Sequence, residues 1–274
     1  MFFWTVSIGV LWIFGYIIPS MPTTCFRLNG FLASWSESET VGHLFFVLTL
    51  LMVMNLGSSL FLSFQFRYMA VAWAKETAHI KRKWAYLYCV CHHLLTSAFC
   101  VGTYYYWSIP VDSYPVQFES EMRRNMFCLA HNGLQHYVHI FYLIVYAGLV
   151  VTGLVVFVVL SFYELKKNKN ISEKTAKMQT TLLWNLIVLS GVPILFGGLP
   201  LLLFCVGLIF DDWSASQPAM MVLVVIMFSY CPMMSLACLV MFKMYREPLI
   251  RIVLRRSAVT ETTTRVFQMS TTLR

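Results

Sequence analysis

Long apolar runs alternate with short charged ones along this chain. Lys, Arg, Asp and Glu are absent from residues 1–26, 40–66, 84–111, 125–163, 178–210 and 213–242. Each run exceeds the roughly 20 apolar residues that cross a hydrocarbon core about 30 Å thick. A helix of a water-soluble domain carries charge along its outer face, and these runs carry none. Strand-like alternation broken by regular turns is missing, which argues against an outer-membrane barrel. Backbone groups in lipid have no water to bond, so each run is predicted to close its hydrogen bonds internally as an α-helix. The pattern therefore predicts an all-α, polytopic transmembrane helix bundle of six spans. They fall at about 1–19, 42–66, 85–107, 135–162, 181–209 and 217–242. The bundle extends over 1–250, and 251–274 is a Ser/Thr-rich tail without a helical apolar stripe, expected to be disordered.

Composition agrees: the chain is 59% hydrophobic and 12% charged, with a mean hydropathy of +0.69. A soluble domain of this length needs a more polar surface. The first run has no base before Arg27 and stays aromatic to its end. A secretory signal starts basic and ends in small residues, so this run is read as a retained span. Charge then orients the bundle. Of the 20 Lys and Arg residues, 17 lie in residues 67–83, 166–177 and the tail, on one side of the predicted membrane. Only Arg27, Arg123 and Arg124 fall on the other side, with seven of the 12 acids. The positive-inside rule makes the basic side cytoplasmic and, with six spans, places both termini there. The net charge of +8 is thus a topology signal that also suits anionic lipid; no basic domain stands apart to bind nucleic acid.

Six of the eight cysteines lie within spans, where a thiol behaves as a small hydrophobe. Cys25 and Cys128 are the two in outer segments, where the redox environment permits a bridge between loop one and the long second outer loop. Histidines invite a haem or zinc reading: His92 and His93 in span three, His136 and His139 a turn apart in span four, with His43 and His131 nearby. Spans five and six hold no histidine, and the Cys/His spacing is irregular for zinc, so these side chains are read as polar cavity lining, with no metal or cofactor. No acid lies within a span and no nucleophile elbow or metalloprotease motif occurs, so the chain is not read as an enzyme. A bundle interior is a natural ligand site. Tyr104, His136 and His139 lie towards its outer mouth, together with Tyr105, Tyr106, Trp107 and Trp213; an interfacial aromatic belt explains most of these aromatics equally well. Pro193, Pro200 and Pro232 fall within late spans, where proline frees backbone groups and bends helices.

Four stretches carry a resemblance. "FQFRYMAV" ends span two, "ISEKTAKMQTTLLWNL" enters span five, Pro193 and Pro200 follow within it, and "FKMYREPLIRIV" follows span six. Together they resemble nematode serpentine chemoreceptors of class H or a close relative in that superfamily. Those receptors carry a Phe-Glu-Asn-Arg-Tyr-like element, an Ile-Ser-x-x-Thr-x-x-x-Gln stretch, two prolines in the sixth helix and Pro-Tyr-Arg after the seventh. The resemblance implies a small-molecule ligand on the outer side, a heterotrimeric G protein on the cytoplasmic side and a plasma-membrane location in a sensory neuron. It places Arg67 and Tyr68 on the family's Arg-Tyr, and Tyr245 and Arg246 on its Tyr-Arg, at positions that face the G protein. It also aligns the six spans with helices two to seven, leaving the first helix outside the chain as given. Gln65 stands where the family has Glu, Met244 where it has Pro, and Tyr230–Cys231 where it tends to His-Gly. A six-helix channel or transporter, a haem-type electron carrier and a truncated, non-signalling receptor are the competing readings.

Overall fold

The structure, a computed structural model, describes residues 2–20, 23–77, 79–114, 123–167, 173–209 and 216–241. The chain divides into two compact units, Met1–Cys231 and Pro232–Arg274; the second is described only over residues 232–241, as helix.

Helices α1 (Phe2–Phe14), α2 (Phe31–Trp35), α3 (Glu39–Ala72), α4 (Ala74–Thr77), α5 (Arg82–Trp107), α6 (Leu134–Lys167), α7 (Glu173–Pro193), α8 (Leu199–Ile209) and α9 (Ser216–Met241) account for most of the described chain. A π-helical segment, Ile194–Gly198, joins α7 to α8 without a break. Among the described residues five helices are long and apolar enough to cross a membrane: Glu39–Ala72, Arg82–Trp107, Leu134–Lys167, Glu173–Ile209 and Gln217–Met241. The first four overrun the expected spans because helical hydrogen bonding continues past the apolar stretch into polar flanks. At about 1.5 Å per residue, α3 is about 50 Å long, more than the hydrocarbon core needs.

The N-terminal run departs from its expected helical span over residues 1–19. Its helix stops at Phe14, and Tyr16–Ser20 instead forms strand β1, paired with β2 (Cys25–Asn29). Gly15 breaks the helix, and the following Tyr-Ile-Ile is strand-prone sequence with a partner strand a few residues on. With β3 (Ser108–Ile109) and β4 (Met126–Leu129) these strands make an antiparallel sheet in the order β1-β2-β4-β3. All four lie in the two loops opposite the base-rich helix ends. Pro19 sits in β1, an edge strand, where a missing N–H costs no ladder bond. Within the all-α bundle this small sheet is an addition that the loop sequences did not signal: the strands are two to five residues long, too short for an alternation pattern to stand out.

α3 lies at the centre, packed against α1, α5, α6 and β4. It is tied to the sheet by stacked rings: Phe26 lies 5.4 Å from Phe46 and 5.6 Å from Phe127. Gly42 is required there, because a Cβ would stand 2.5 Å from the Phe127 ring. Gly30 turns the chain from β2 into α2 with φ of 98°, a left-handed conformation open to glycine. The outer faces of α5 and α6 expose Leu94, Leu95, Phe99, Phe141, Leu149 and Val159, as suits lipid contact.

Candidate functional site

Between the helices of the first unit lies a cavity of about 380 Å³. Ile8 and Trp12 of α1, Phe45, Leu50 and Met54 of α3, Leu143 and Tyr146 of α6, Phe204 of α8, and Phe228 and Tyr230 of α9 line it. Pro193, Ile194, Gly197 and Gly198 bring the π-helical segment into the same wall. The sequence explains that segment. Pro193 and Pro200 each lack the N–H that an α-helix would direct at the carbonyl four residues earlier. A wider turn between them accommodates both rings, which is how single π turns commonly enter α-helices.

Among the described residues no Asp, Glu, Lys, Arg or His lines the cavity. Its hydroxyls are already engaged. Thr49 Oγ1 donates to the Phe45 carbonyl (2.9 Å), Tyr146 Oη donates to the Met54 carbonyl and shares a 2.7 Å bond with Ser58, and Tyr230 Oη shares a 2.8 Å bond with Thr5. Cys231 Sγ adds a weak bond to the Thr5 carbonyl (3.4 Å). Tyr230 and Cys231, the pair that departs from the family pattern, thus fasten α9 to α1.

A polar seam runs beside the cavity, between α3, α5 and α6. Asn55 Nδ2 donates to Ser97 Oγ (2.9 Å), Asn55 Oδ1 bonds His93 Nδ1 (2.7 Å), Ser58 bonds Thr96 (3.2 Å), and Tyr142 Oη donates to the Thr96 carbonyl (3.2 Å). Within a bilayer such side chains have no water, and each finds its partner on a neighbouring helix.

At the sheet end, Tyr104, His136 and His139 are buried packing residues and none of them lines the cavity. Tyr104 Oη bonds His43 Nδ1 (2.8 Å), and Glu39, which accepts the Val111 N–H (3.0 Å), stands 3.4 Å from His43 Nε2. His139 stacks on Trp107 with ring centres 4.7 Å apart and bonds Thr103 Oγ1 (2.9 Å). Trp107 Nε1 donates to the Ala130 carbonyl (3.0 Å), which also bonds His136 Nδ1 (3.1 Å). The aromatic cluster of span three divides by helical spacing: Tyr104 and Trp107 face inward, while Tyr105 and Tyr106 are exposed. Above them Cys25 and Cys128 stand opposite each other in the β2–β4 register and are joined by a disulfide, with Cα atoms 4.1 Å apart. Arg123 pairs with Asp112 (2.7 Å) within the second outer loop, and Arg124 with Glu37 ties that loop to the first.

At the base-rich end, Arg67 Nη1 donates to Gln179 Oε1 (2.9 Å), joining the end of α3 to the first turns of α7. Tyr68 packs its ring 5.9 Å from both Trp73 and Phe157. Gln65 accepts from Tyr88 Oη (3.0 Å). Tyr245, Arg246 and Trp213 lie outside the described residues, as does Asn170-Ile171-Ser172, which matches the glycosylation acceptor pattern; Pro232 lies in α9, in the second unit. Among the described residues no group of three or more His, Cys, Asp and Glu side chains gathers as metal ligands would.

The bond between Arg67 and Gln179 connects two of the four sequence stretches singled out above. The sequence matches the family described as serpentine type 7TM GPCR chemoreceptor Srh over residues 1–255. The chain belongs to the Srh serpentine chemoreceptors. It is accordingly a multi-pass membrane protein of a receptor class rather than of an enzyme family. No curated protein matches it. What sequence reasoning missed in this Srh chain is the role of Gln179, which stood in a quoted motif without an assignment. It missed the cavity wall as well. An apolar side chain facing a cavity, a core or lipid looks the same in a sequence. The seam was more legible: Asn55, Ser58, Thr96 and Ser97 are polar residues within uncharged runs.

Proposed function

We propose that this chain is a chemosensory receptor that takes a small molecule from the outer side into the interhelical cavity and signals through a heterotrimeric G protein at the base-rich helix ends. One observation carries the reading. The continuous helix Glu173–Ile209 supplies cavity wall at Pro193–Gly198 and, at its other end, the Gln179 that holds Arg67. Occupancy of the cavity can therefore bias that contact through a single element. The bias requires a ligand that binds the released arrangement better than the held one, since equal affinity shifts nothing. Arg67 and Tyr68, with Tyr245 and Arg246 from the segment after α9, form the proposed coupling surface. The Cys25–Cys128 bridge holds the sheet over the bundle mouth.

The test uses the full chain in lipid nanodiscs with purified heterotrimers, reading ligand-stimulated nucleotide exchange. Arg67→Ala is expected to abolish exchange while membrane insertion stays intact. Ligand responses at the wild-type level in that variant would refute the coupling role. A ligand-gated current in planar bilayers, without exchange, would favour the channel reading instead.

A further inference from the structure

We infer that the cavity selects uncharged, largely hydrocarbon ligands, and that Gly197 sets how large they can be. This deepens the receptor reading by naming a ligand class, and rests on that reading only for what binding achieves. The argument begins from the wall's chemistry. A charged ligand entering a site whose described lining carries no Asp, Glu, Lys, Arg or His loses its hydration and gains no counter-charge. A ligand with several hydrogen-bonding groups fares little better, because Thr49 and Tyr146 spend their protons on backbone carbonyls and the Tyr230 hydroxyl is paired with Thr5, which leaves only a few oxygen lone pairs to accept from it. Trp12 adds an indole N–H, a donor only, so a molecule with a single hydroxyl, able both to accept and to donate once, suits the inventory.

Size follows from volume. A cavity of about 150 Å³ lined by Leu, Ile and Phe stays dry and takes up benzene. At about 380 Å³ this one has more than twice that space. Gly197 lines the cavity, and a Cβ built there meets nothing within 4 Å; beside it, a Cβ on Gly198 meets only the Pro193 carbonyl, at 3.9 Å. A side chain at this position would grow into ligand space without first striking another group. Gly191, one turn and a half earlier on the same helix, also has nothing within 4 Å of its Cβ but does not line the cavity. The two glycines thus form a matched pair, one inside the site and one outside it.

The experiment takes the full chain in nanodiscs and follows its melting temperature with a homologous series of n-alkanols, and with the ionised n-alkanoates of equal length as charged counterparts. Wild type is expected to show a saturable rise with alkanols, roughly 5 °C or more at a large excess over Kd, ending at a definite chain length. The alkanoates are expected to give no saturable rise. Gly197→Phe should lose the alkanol response, and Gly191→Phe should keep it; the lipid takes up the same alkanol in both. Gly197→Ala, the milder change, should shorten the longest alkanol that stabilises, which keeps the test decisive even if the phenylalanine variant does not fold. Equal stabilisation by alkanoates, absence of any alkanol effect in wild type, or an unchanged length limit in Gly197→Ala overturns the inference. Saturable, Gly197-dependent binding without any effect on nucleotide exchange upholds the cavity assignment and counts against the receptor reading alone.

Discussion

Arg67 is held by a neutral partner. Gln179 offers one amide oxygen at 2.9 Å, and Gln65, two positions before the arginine, stands where the family has an acid and bonds Tyr88 instead. A hydrogen bond to a charged group contributes about 1.5–3 kcal/mol when buried; this one is only partly buried, so the lower end applies. Gln179→Ala is therefore expected to raise ligand-free nucleotide exchange by about an order of magnitude, read with the purified chain and G protein. A second prediction concerns Asn55, whose amide meets Ser97 and His93 between α3 and α5. Hydrogen bonds between membrane helices average about 0.6 kcal/mol and reach about 2. Asn55→Ala should cost about 1–2 kcal/mol because it removes two such bonds, measurable as a shift in the denaturation midpoint; a neutral result would mean that the partners find substitutes.

Among the elements, the long helices were legible in the sequence and the short strands were not. A run of 27 uncharged residues such as 40–66 leaves the backbone one solution in lipid. β2 has five residues and β3 has two, and Cys25 of β2 meets a partner 103 positions away, which no local pattern encodes. Cys25 and Cys128 were the one long-range signal, because an oxidising compartment gives two outer cysteines reason to meet. The outer aromatics and histidines were harder to read. Tyr104, His136 and His139 are polar enough to suggest a ligand site, yet their hydrogen bonds go to neighbouring loops and helices. At this scale, Gly42→Val should displace the Phe127 ring and lift β4 from α3, costing about 1–3 kcal/mol as overpacking does; accelerated proteolysis at β4 would report it. Cys128→Ser should cost about 2–4 kcal/mol in thermal denaturation by releasing the constraint on a 103-residue loop.

For the whole molecule, charge distribution was the most readable property. The bases gather where α3, α6 and α7 end or begin, and the sheet closes the opposite side. Asn170-Ile171-Ser172 matches a glycosylation acceptor and lies between α6 and α7 on the base-rich side. It is expected to remain unmodified in cells, as judged by gel mobility before and after glycosidase treatment. A glycan there would reverse the orientation and remove the proposed coupling surface from the compartment that holds G proteins. The cavity was the least readable property at this scale, since it depends on where five helices leave space, and each lining residue alone looks like ordinary core.

The strand order β1-β2-β4-β3 also dictates a sequence of events during synthesis. The N-terminal hairpin is made first, yet its inner edge finds β4 only after about a hundred further residues have been translated and two more helices threaded into the membrane. Until then the nascent chain presents an open strand edge and a lone thiol at Cys25 to its surroundings. Cells that make this protein well must shield both, and reducing conditions in the secretory lumen should trap it as an immature species before any ligand is ever met.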